Sequence, residues 1–483
     1  MYTAHKPSST GKKSVLENVT FDELSVGHTA SLTRTLSQRD IELFAAMSGD
    51  INPTHMDEAY AKNSAFHGVI GHGMWSVSLI STVLGTLLPG PGTIYLGQNV
   101  TFKKPVRLGE TVTVTVTVLE KKTGEKKPAK PIVVFDCSCT NSRGEIVAEG
   151  KATVLAPTEK VRLPWPETPD VILHTHTNSR NIIEACRDLK PIRTAVVHPV
   201  TVTTLEAAMN ATQDRLILPI LIGPRARILK AADEGGLSLS GLDIIDVEHS
   251  AAAAAKAVDL AAHGRVDAIM KGSLHTDELM AAIVPSAAGL RTARHITHSY
   301  LMEVPAYHKP IIITDAAINI MPDLATKADI CQNAIDLWRV LFGMDKKPKV
   351  AILAAVETVN SKMQGTLDAA ALCKMADRGQ ITDCIMDGPL AFDTTISKHS
   401  AKDKGIFSTV AGDTDILVVP EIEAGNILSK QLIFLGHADA AGIVLGARVP
   451  IILTSRADDL RTRLLSCALA VLMVEARRTG AIK

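Results

Sequence analysis

The sequence predicts an α+β module followed by a larger α/β region. Three observations carry this. Residues 20–155 start helical and then read as strands, with "TVTVTVTVL" (111–119) alternating strictly between polar and apolar. "GMWSVSLISTVLGTLL" is apolar on nearly every side, and a helix that apolar must be enclosed. From about residue 190 onward, short apolar runs alternate with Ala-rich helices, the pattern of buried parallel strands with helices on both faces.

The elements follow in order. "RDIELFAAM" reads as a helix ending at Gly49, and the apolar helix comes next. Strands follow at "IYLGQNVTF", "TVTVTVTVL", "PIVVFDCSCT" and "EIVAEGKATVL", with "TGEKKPAKP" as a polar turn. Several antiparallel strands after one buried helix suggest a sheet wrapped around it. "APTEKVRLPWPETPD" has four prolines and mixed charge, so it reads as a linker. "HTHT" (174–177) offers a His-x-His pair but no nearby third ligand, so no metal is expected there.

Beyond it, the apolar runs are "TAVVHP", "ILPILIGP", "VDAIMKG", "KPIIITDA", "KVAILAAVE", "DILVVP" and "VPIILTS". "SAAAAAKAVDLAAHG" and "TLDAAALCKMADRG" are helices between them. About 300 residues is large for one such sheet, so two α/β subdomains are expected. The boundaries read as 15–157 for the first domain, 158–184 for the linker and 185–482 for the second. Its subdomains read as 185–303 plus 442–482, and 304–441.

Composition narrows the function classes. Lys+Arg and Asp+Glu both number 51, so no general field favours nucleic acid or a membrane surface. Aromatics at 4% argue against a base-stacking platform. Seven cysteines in 483 residues are an odd number and not a disulfide framework. Cys137 and Cys139 share one face of a strand and read as buried thiols. The start of the chain lacks an apolar signal region, and no apolar run approaches the ~18 residues of a spanning helix. A soluble, cytoplasmic protein is the expectation.

"SGDINPTHMD" (48–57) holds the first constellation. Asp50 and His55 flank Asn52-Pro53, and Pro53 keeps Asn52 out of the helical region. Gly49 can end the preceding helix. "VIGHGM" (69–74) then starts the apolar helix, where a backbone N–H can stabilise a developing oxyanion. An acid, a base and an oxyanion site suit addition or loss of water at an activated carbonyl. Spacing alone leaves a decorated turn open as the plainer reading.

The run "SGDINPTHMD…AFHGVIGHGM…IYLGQNVTFKKPV" resembles the MaoC-like, (R)-specific enoyl-CoA hydratases of the hot-dog fold, over roughly residues 20–155. The resemblance implies that Asp50 and His55 activate the water added to C3 of a trans-2-enoyl-CoA. It implies that the Gly73 N–H holds the thioester oxygen, and that the product is the R enantiomer. Ser81 matches a position hydrogen-bonded near the catalytic aspartate. His72 also matches, and a structural role is expected for it; Asp57 is expected to be structural.

The second half offers weaker local signals. "VDAIMKGSLHTDELM" (266–280) places Lys271-Gly272 between a buried strand and a helix start at Thr276, which suits an anion or is an ordinary capped join. "GLRTARHITHS" (289–299) carries Arg291 and Arg294 with His295 and His298, a phosphate clamp or a solvated basic edge. "VPIILTSRADDL" (449–460) places Ser455-Arg456 just after a buried strand, where open α/β sheets bind ligands.

Taken in order with "LDAAALCKMADRGQI", "DGPLAFD" and "VAGDTDILVVPEIEAGNILSK", these segments resemble the phosphate acetyl/butyryltransferases over about residues 185–480, with details leaning to the butyryl type. The resemblance implies an isocitrate-dehydrogenase-like two-subdomain fold. It implies acyl-CoA + phosphate ⇌ acyl phosphate + CoA, with no metal and no permanently bound cofactor. Ser455 would contact the CoA sulfur, Arg456 the acyl carbonyl or phosphate, and Arg294 or Arg291 phosphate. Acetyl-type enzymes carry an aspartate seven residues after the serine, but here that position is Thr462, so no base for the CoA thiol is carried over.

Both halves would take acyl-CoA, so their fusion suggests a shared intermediate. An unlinked mixture matching the intact chain in coupled flux would sink that idea. Both families pair, so a homo-oligomer is expected. Three other readings compete: a hot-dog module that only binds acyl-CoA or drives oligomerisation, a metal-dependent dehydrogenase in the second half, and a hot-dog thioesterase. The Asp–Asn–Pro–His loop fits hydration better than thioester hydrolysis. The second half shows neither an aspartate cluster for Mg²⁺ nor a GxGxxG.

Overall fold

The computed structural model describes residues 15–123, 130–167, 169, 171–453 and 459–482. The chain divides into two compact units, at Leu173 and His174. Among the described residues no helix is long and apolar enough to cross a membrane.

The first unit is built around the apolar helix, Gly73–Thr86. Trp75, Leu79, Ile80, Val83 and Leu84 are buried on it. They share one core with Val112, Val114, Val116 and Val118, the apolar positions of the strand Thr111–Thr123. The sheet is antiparallel, in the order Thr29–Thr35, Thr111–Thr123, Pro131–Asn141, Ile146–Leu155, Ile94–Phe102. Period two puts the threonines of "TVTVTVTVL" on the other face. Their hydroxyls meet those of the neighbouring strand, Thr33 with Thr113 at 2.9 Å and Thr35 with Thr111 at 2.7 Å. At Gly150 a Cβ would lie 1.9 Å from the Asn99 carbonyl oxygen, so the last two strands can approach only through glycine. The expected hot-dog arrangement of helix and sheet is present. Cys137 and Cys139 are buried side by side on the core face, and burial pushes their thiols up to about 12 and about 11.

The expected linker is partly ordered structure. Arg162–Pro164 pairs antiparallel with Val15–Glu17. Thr177–Ala185 is a helix of the second unit, burying Ser179 and Ile182.

In the second unit an eleven-stranded sheet runs in the order Asp243–Asp246, Ile217–Gly223, Ile192–Val197, Ala268–Lys271, Ile451–Ile452, Asp439–Leu445, Thr297–Glu303, Ile311–Thr314, Ile416–Val418, Lys349–Leu353, Ile385–Leu390. The expected parallel sheet is therefore mixed. Asp439–Leu445 and Thr297–Glu303 pair antiparallel with each other and with their outer neighbours, joining two parallel halves. One continuous sheet passes through both expected subdomains, and the expected boundary at 442 falls inside a central strand. The strand Thr297–Glu303 carries no strand signal in the sequence, because "THSYLME" has no apolar run; its His298, Ser299 and Thr297 are nonetheless buried. His298 is thus a central-strand residue and not part of a basic edge.

Candidate active sites

In the first unit the helix Gln38–Ser48 ends at Gly49, whose φ of 75° is the left-handed cap that glycine adopts freely. Asp50 follows. Its Oδ1 accepts the Asn52 N–H at 3.2 Å, and the Asn52 side chain in turn accepts Thr54 N–H at 3.0 Å. Pro53 opens a single helical turn, Pro53–Met56, that carries His55. Asp57 caps the next helix by accepting the Tyr60 N–H at 2.9 Å.

The loop is then tied to the helix start. His55 Nδ1 lies 2.8 Å from the Ile70 carbonyl oxygen. A carbonyl only accepts, so Nδ1 carries the proton and Nε2 of the neutral ring is left as the acceptor. His72 Nε2 donates to the Asp50 carbonyl at 3.0 Å. The His72 ring is buried, with its centroid 4.0 Å from that of His55 and 4.7 Å from Phe44. His72 Nδ1 is buried with no hydrogen-bond partner among the described residues. Donor atoms of Asp50, His55 and His72 lie within 4.8 Å of one another, a set that can share a water or hold a cation.

Gly73 is the first residue of the buried helix. The first-turn N–H groups of a helix lack intrahelical acceptors, and no acceptor for the Gly73 N–H occurs among the described residues. The preceding Gly71 must be glycine for packing, since a Cβ would sit 2.6 Å from Leu36 Cδ2. The structure thus brings Asp50, His55 and the Gly73 helix start together. Ser81 lies about 12 Å further along the helix axis and is exposed, with no hydrogen bond to Asp50 among the described residues.

In the second unit, Ile192–Val197, Ala268–Lys271 and Ile451–Ile452 are parallel neighbours, so their carboxyl ends share one edge of the sheet. Ser455, Arg456 and Asp458, which follow the strand Ile451–Ile452 in sequence, lie outside the described residues. Gly272 crosses close to the next strand: a Cβ there would stand 2.1 Å from the Val197 carbonyl oxygen. Lys271 is buried and donates to the Leu274 carbonyl at 3.2 Å. The following helix, Thr276–Ile283, starts at His275 with no side-chain cap, so Thr276 is not the cap that the sequence suggested.

Sequence reasoning missed the other half of this edge. His198 follows the strand Ile192–Val197 with a φ of 55° and is buried, and burial lowers its pKa. Thr201, Thr204 and Ser273 bring three hydroxyls together at 2.8–3.0 Å, beside the uncapped start of the helix Val202–Gln213. Only the strand-terminal "VVHPVT" hinted at this.

Arg291 and Arg294 are elsewhere. Arg294 is paired with Asp336 at 2.6 Å, in a group with Arg477. Arg477 is in the last turn of the helix Leu460–Arg478. A 19-residue helix is about 28 Å long. Arg294 is therefore roughly that far from the start of this helix at Leu460. Arg291 donates to the Val284 carbonyl at 2.6 Å and bridges to Ala447 at the same far edge. Asp459 caps the long helix through the Thr462 N–H at 2.8 Å, so its carboxylate is engaged.

Comparisons with known proteins match the two units separately. A family model for phosphate acetyl/butaryl transferases matches residues 248–471, and one for a MaoC like domain matches residues 25–133. A phosphate acetyltransferase of Rhizobium meliloti is 54% identical over 322 residues, 67% of this chain and 99% of its own length. A phosphate butyryltransferase of Clostridium acetobutylicum is 37% identical over 287 residues, 59% of this chain and 94% of its own. The crystal structure of a branched-chain phosphotransacylase from Enterococcus faecalis is 28% identical, covering 59% of this chain and 99% of that one, with a TM-score of 0.51.

Proposed function

Because this chain belongs to the phosphate acetyl/butyryltransferase family and carries a MaoC-like domain at its head, we propose that it is a bifunctional enzyme acting on acyl-CoA thioesters. The first unit hydrates trans-2-enoyl-CoA to (R)-3-hydroxyacyl-CoA. The second exchanges an acyl group between CoA and inorganic phosphate.

One observation carries the hydration reading: His55 is held by the Ile70 carbonyl with Nε2 bare, beside Asp50 and the open N–H of Gly73. Water is a poor nucleophile, so the pair Asp50/His55 must share its proton as it attacks C3. Electrons then move onto the thioester oxygen, where the Gly73 N–H and the helix start favour negative charge. The proton returns to C2 to complete the addition. His72 positions Asp50 through its backbone carbonyl.

The transfer reading is supported by family membership and by the carboxyl edge of the parallel strands. There the uncapped helix starts, three hydroxyls and Lys271 favour an anion. In this reading Ser455 contacts the CoA sulfur and Arg456 the acyl carbonyl or phosphate, the roles that the resemblance gives them. The chain shares more identity with the relative named for acetyl than with the one named for butyryl, which puts acetyl-CoA first and reverses the lean of the sequence motifs.

A panel of saturated and enoyl thioesters, C2 to C8, tests both activities with and without phosphate. Loss of enoyl absorbance without phosphate is expected from the first unit, and phosphate-dependent CoA release from the second. A chain with no hydration would leave the first unit as a binding or pairing module. The exposed edge strand favours pairing in either case: Ile94, Leu96 and Phe102 are 58%, 50% and 51% exposed on a strand with one free edge. We therefore also propose a homo-oligomer.

A further inference from the structure

The histidine pair of "HTHT" has the third ligand that the sequence could not supply. Asp439 begins a central strand of the second unit, 263 residues beyond His176, and its Oδ2 lies 2.5 Å from His176 Nδ1. The same oxygen is 3.5 Å from His174 Nε2. The two imidazole rings stack with centroids 3.7 Å apart, and His174 Nε2 is buried without a hydrogen-bond partner among the described residues. All three donor atoms lie within 4.8 Å of one another.

We propose that His174, His176 and Asp439 form a binding site for a divalent transition-metal ion of the zinc type. Two imidazoles and one carboxylate are a borderline donor set that suits such an ion better than Mg²⁺ or Ca²⁺, which take mainly oxygens. Around a tetrahedral ion with bonds of about 2.0–2.1 Å, donor atoms stand ~3.3 Å apart. The 3.5 Å separation already matches that. The 2.5 Å contact of His176 must open by roughly 0.8 Å when the ion replaces its proton.

The surroundings support this assignment. Glu303 pairs in register with Asp439 on the adjacent strand. It accepts from the backbone and side chains of Asn178 and Ser179, anchoring the start of the helix Thr177–Ala185. Two carboxylates thus face the cluster, matching a divalent charge. His176 holds a φ of 52°, rare for a non-glycine residue, which aims its ring back at Asp439. Ser179 Oγ stands 3.5 Å from the shared oxygen. Arg461 approaches it at 3.7 Å; its side chain is 40% exposed and can swing away as the ion enters. Bound metal would latch the segment His174–His176, where the second unit begins, to the central sheet.

The test uses the full chain stripped with a chelator and titrated with Zn²⁺, then Co²⁺ for its visible absorption. Asp50, His55 and His72 are a second donor set, so His55→Ala is the control. One zinc equivalent should survive in that control. His174→Ala and His176→Ala should each weaken it more than about a hundredfold, beyond the roughly 10–100-fold that loss of an outer hydrogen-bond partner costs a metal site. Zinc should also raise the Tm of the wild type more than that of either variant. Affinity within twofold of wild type in both histidine variants would overturn the site, as would no zinc uptake by the control. Asp439→Asn adds a third comparison, but the two histidines decide the question, since they are partly exposed and their replacement leaves the sheet intact.

Discussion

Replacing Gly73 by proline removes one backbone hydrogen and little else. Gly73 is the first residue of its helix, the position where proline is tolerated because its missing N–H would bond nothing within the helix. The preceding His72 has φ −59° and ψ 132°, the extended conformation that a following proline demands. The new Cβ would stand 3.0 Å from Phe102 Cε1. Phe102 is 51% exposed on an edge strand and can yield a few tenths of an ångström. Gly73→Ala brings the same Cβ but keeps the N–H, so the pair of variants separates bulk from donation. Loss of one oxyanion donor costs about 10²–10³ in kcat, or about 2.7–4 kcal/mol of transition-state stabilisation. Hydration of crotonyl-CoA, followed by enoyl absorbance, should fall by that factor in the proline variant relative to the alanine variant, with KM nearly constant. Thermal unfolding of both proteins confirms equal folding. A proline variant within threefold of the alanine variant would refute the donor role, and so would equal loss in both.

Other predictions follow from the same geometry. Asp50→Asn and His55→Gln should each lower hydration by at least about 10² while phosphate-dependent acyl transfer in the same preparation is unchanged; parallel loss of both activities would contradict two independent sites. Gly272→Ala drives a Cβ to 2.1 Å from the Val197 carbonyl oxygen, so unfolding of the second unit should lose about 1–3 kcal/mol, seen as a lower Tm with the first unit unaffected. Arg294→Ala should leave the KM for phosphate within twofold of wild type, because the guanidinium is held by Asp336 at the far edge; a tenfold rise would return it to the phosphate site. Hydrogen bonds from Lys104, Asn141 and Arg143 hold the Glu145 carboxyl at about 2. A carboxyl with a depressed folded pKa stabilises above its unfolded value of about 4.3 and loses that contribution as pH falls toward 2. Denaturant midpoints of Glu145→Gln should therefore lie below wild type at pH 6 and converge with it near pH 2.

What was readable in the sequence was local. Alternation in "TVTVTVTVL", the uniformly apolar helix and the Asn-Pro turn are dictated by neighbours within a few residues, so strand, helix and the Asp50–His55 loop were placed correctly. Gly49, Asn52, Pro53 and Asp57 act through backbone geometry and caps that spacing alone reveals. The central strand Thr297–Glu303 was not readable, because buried Thr297, His298 and Ser299 break the apolar run that burial on both faces otherwise gives, and leave "THSYLME" looking like a loop. Relations across the chain were decided only by tertiary structure. Pairing set Asp439 beside His174 and His176, gave His72 the Asp50 carbonyl, and put Arg294 against Asp336 near the last turn of the helix Leu460–Arg478. Local sequence sets φ, ψ and the buried face. Which carboxylate meets which imidazole depends on strand order and register, which emerge only when the whole sheet closes its backbone hydrogen bonds.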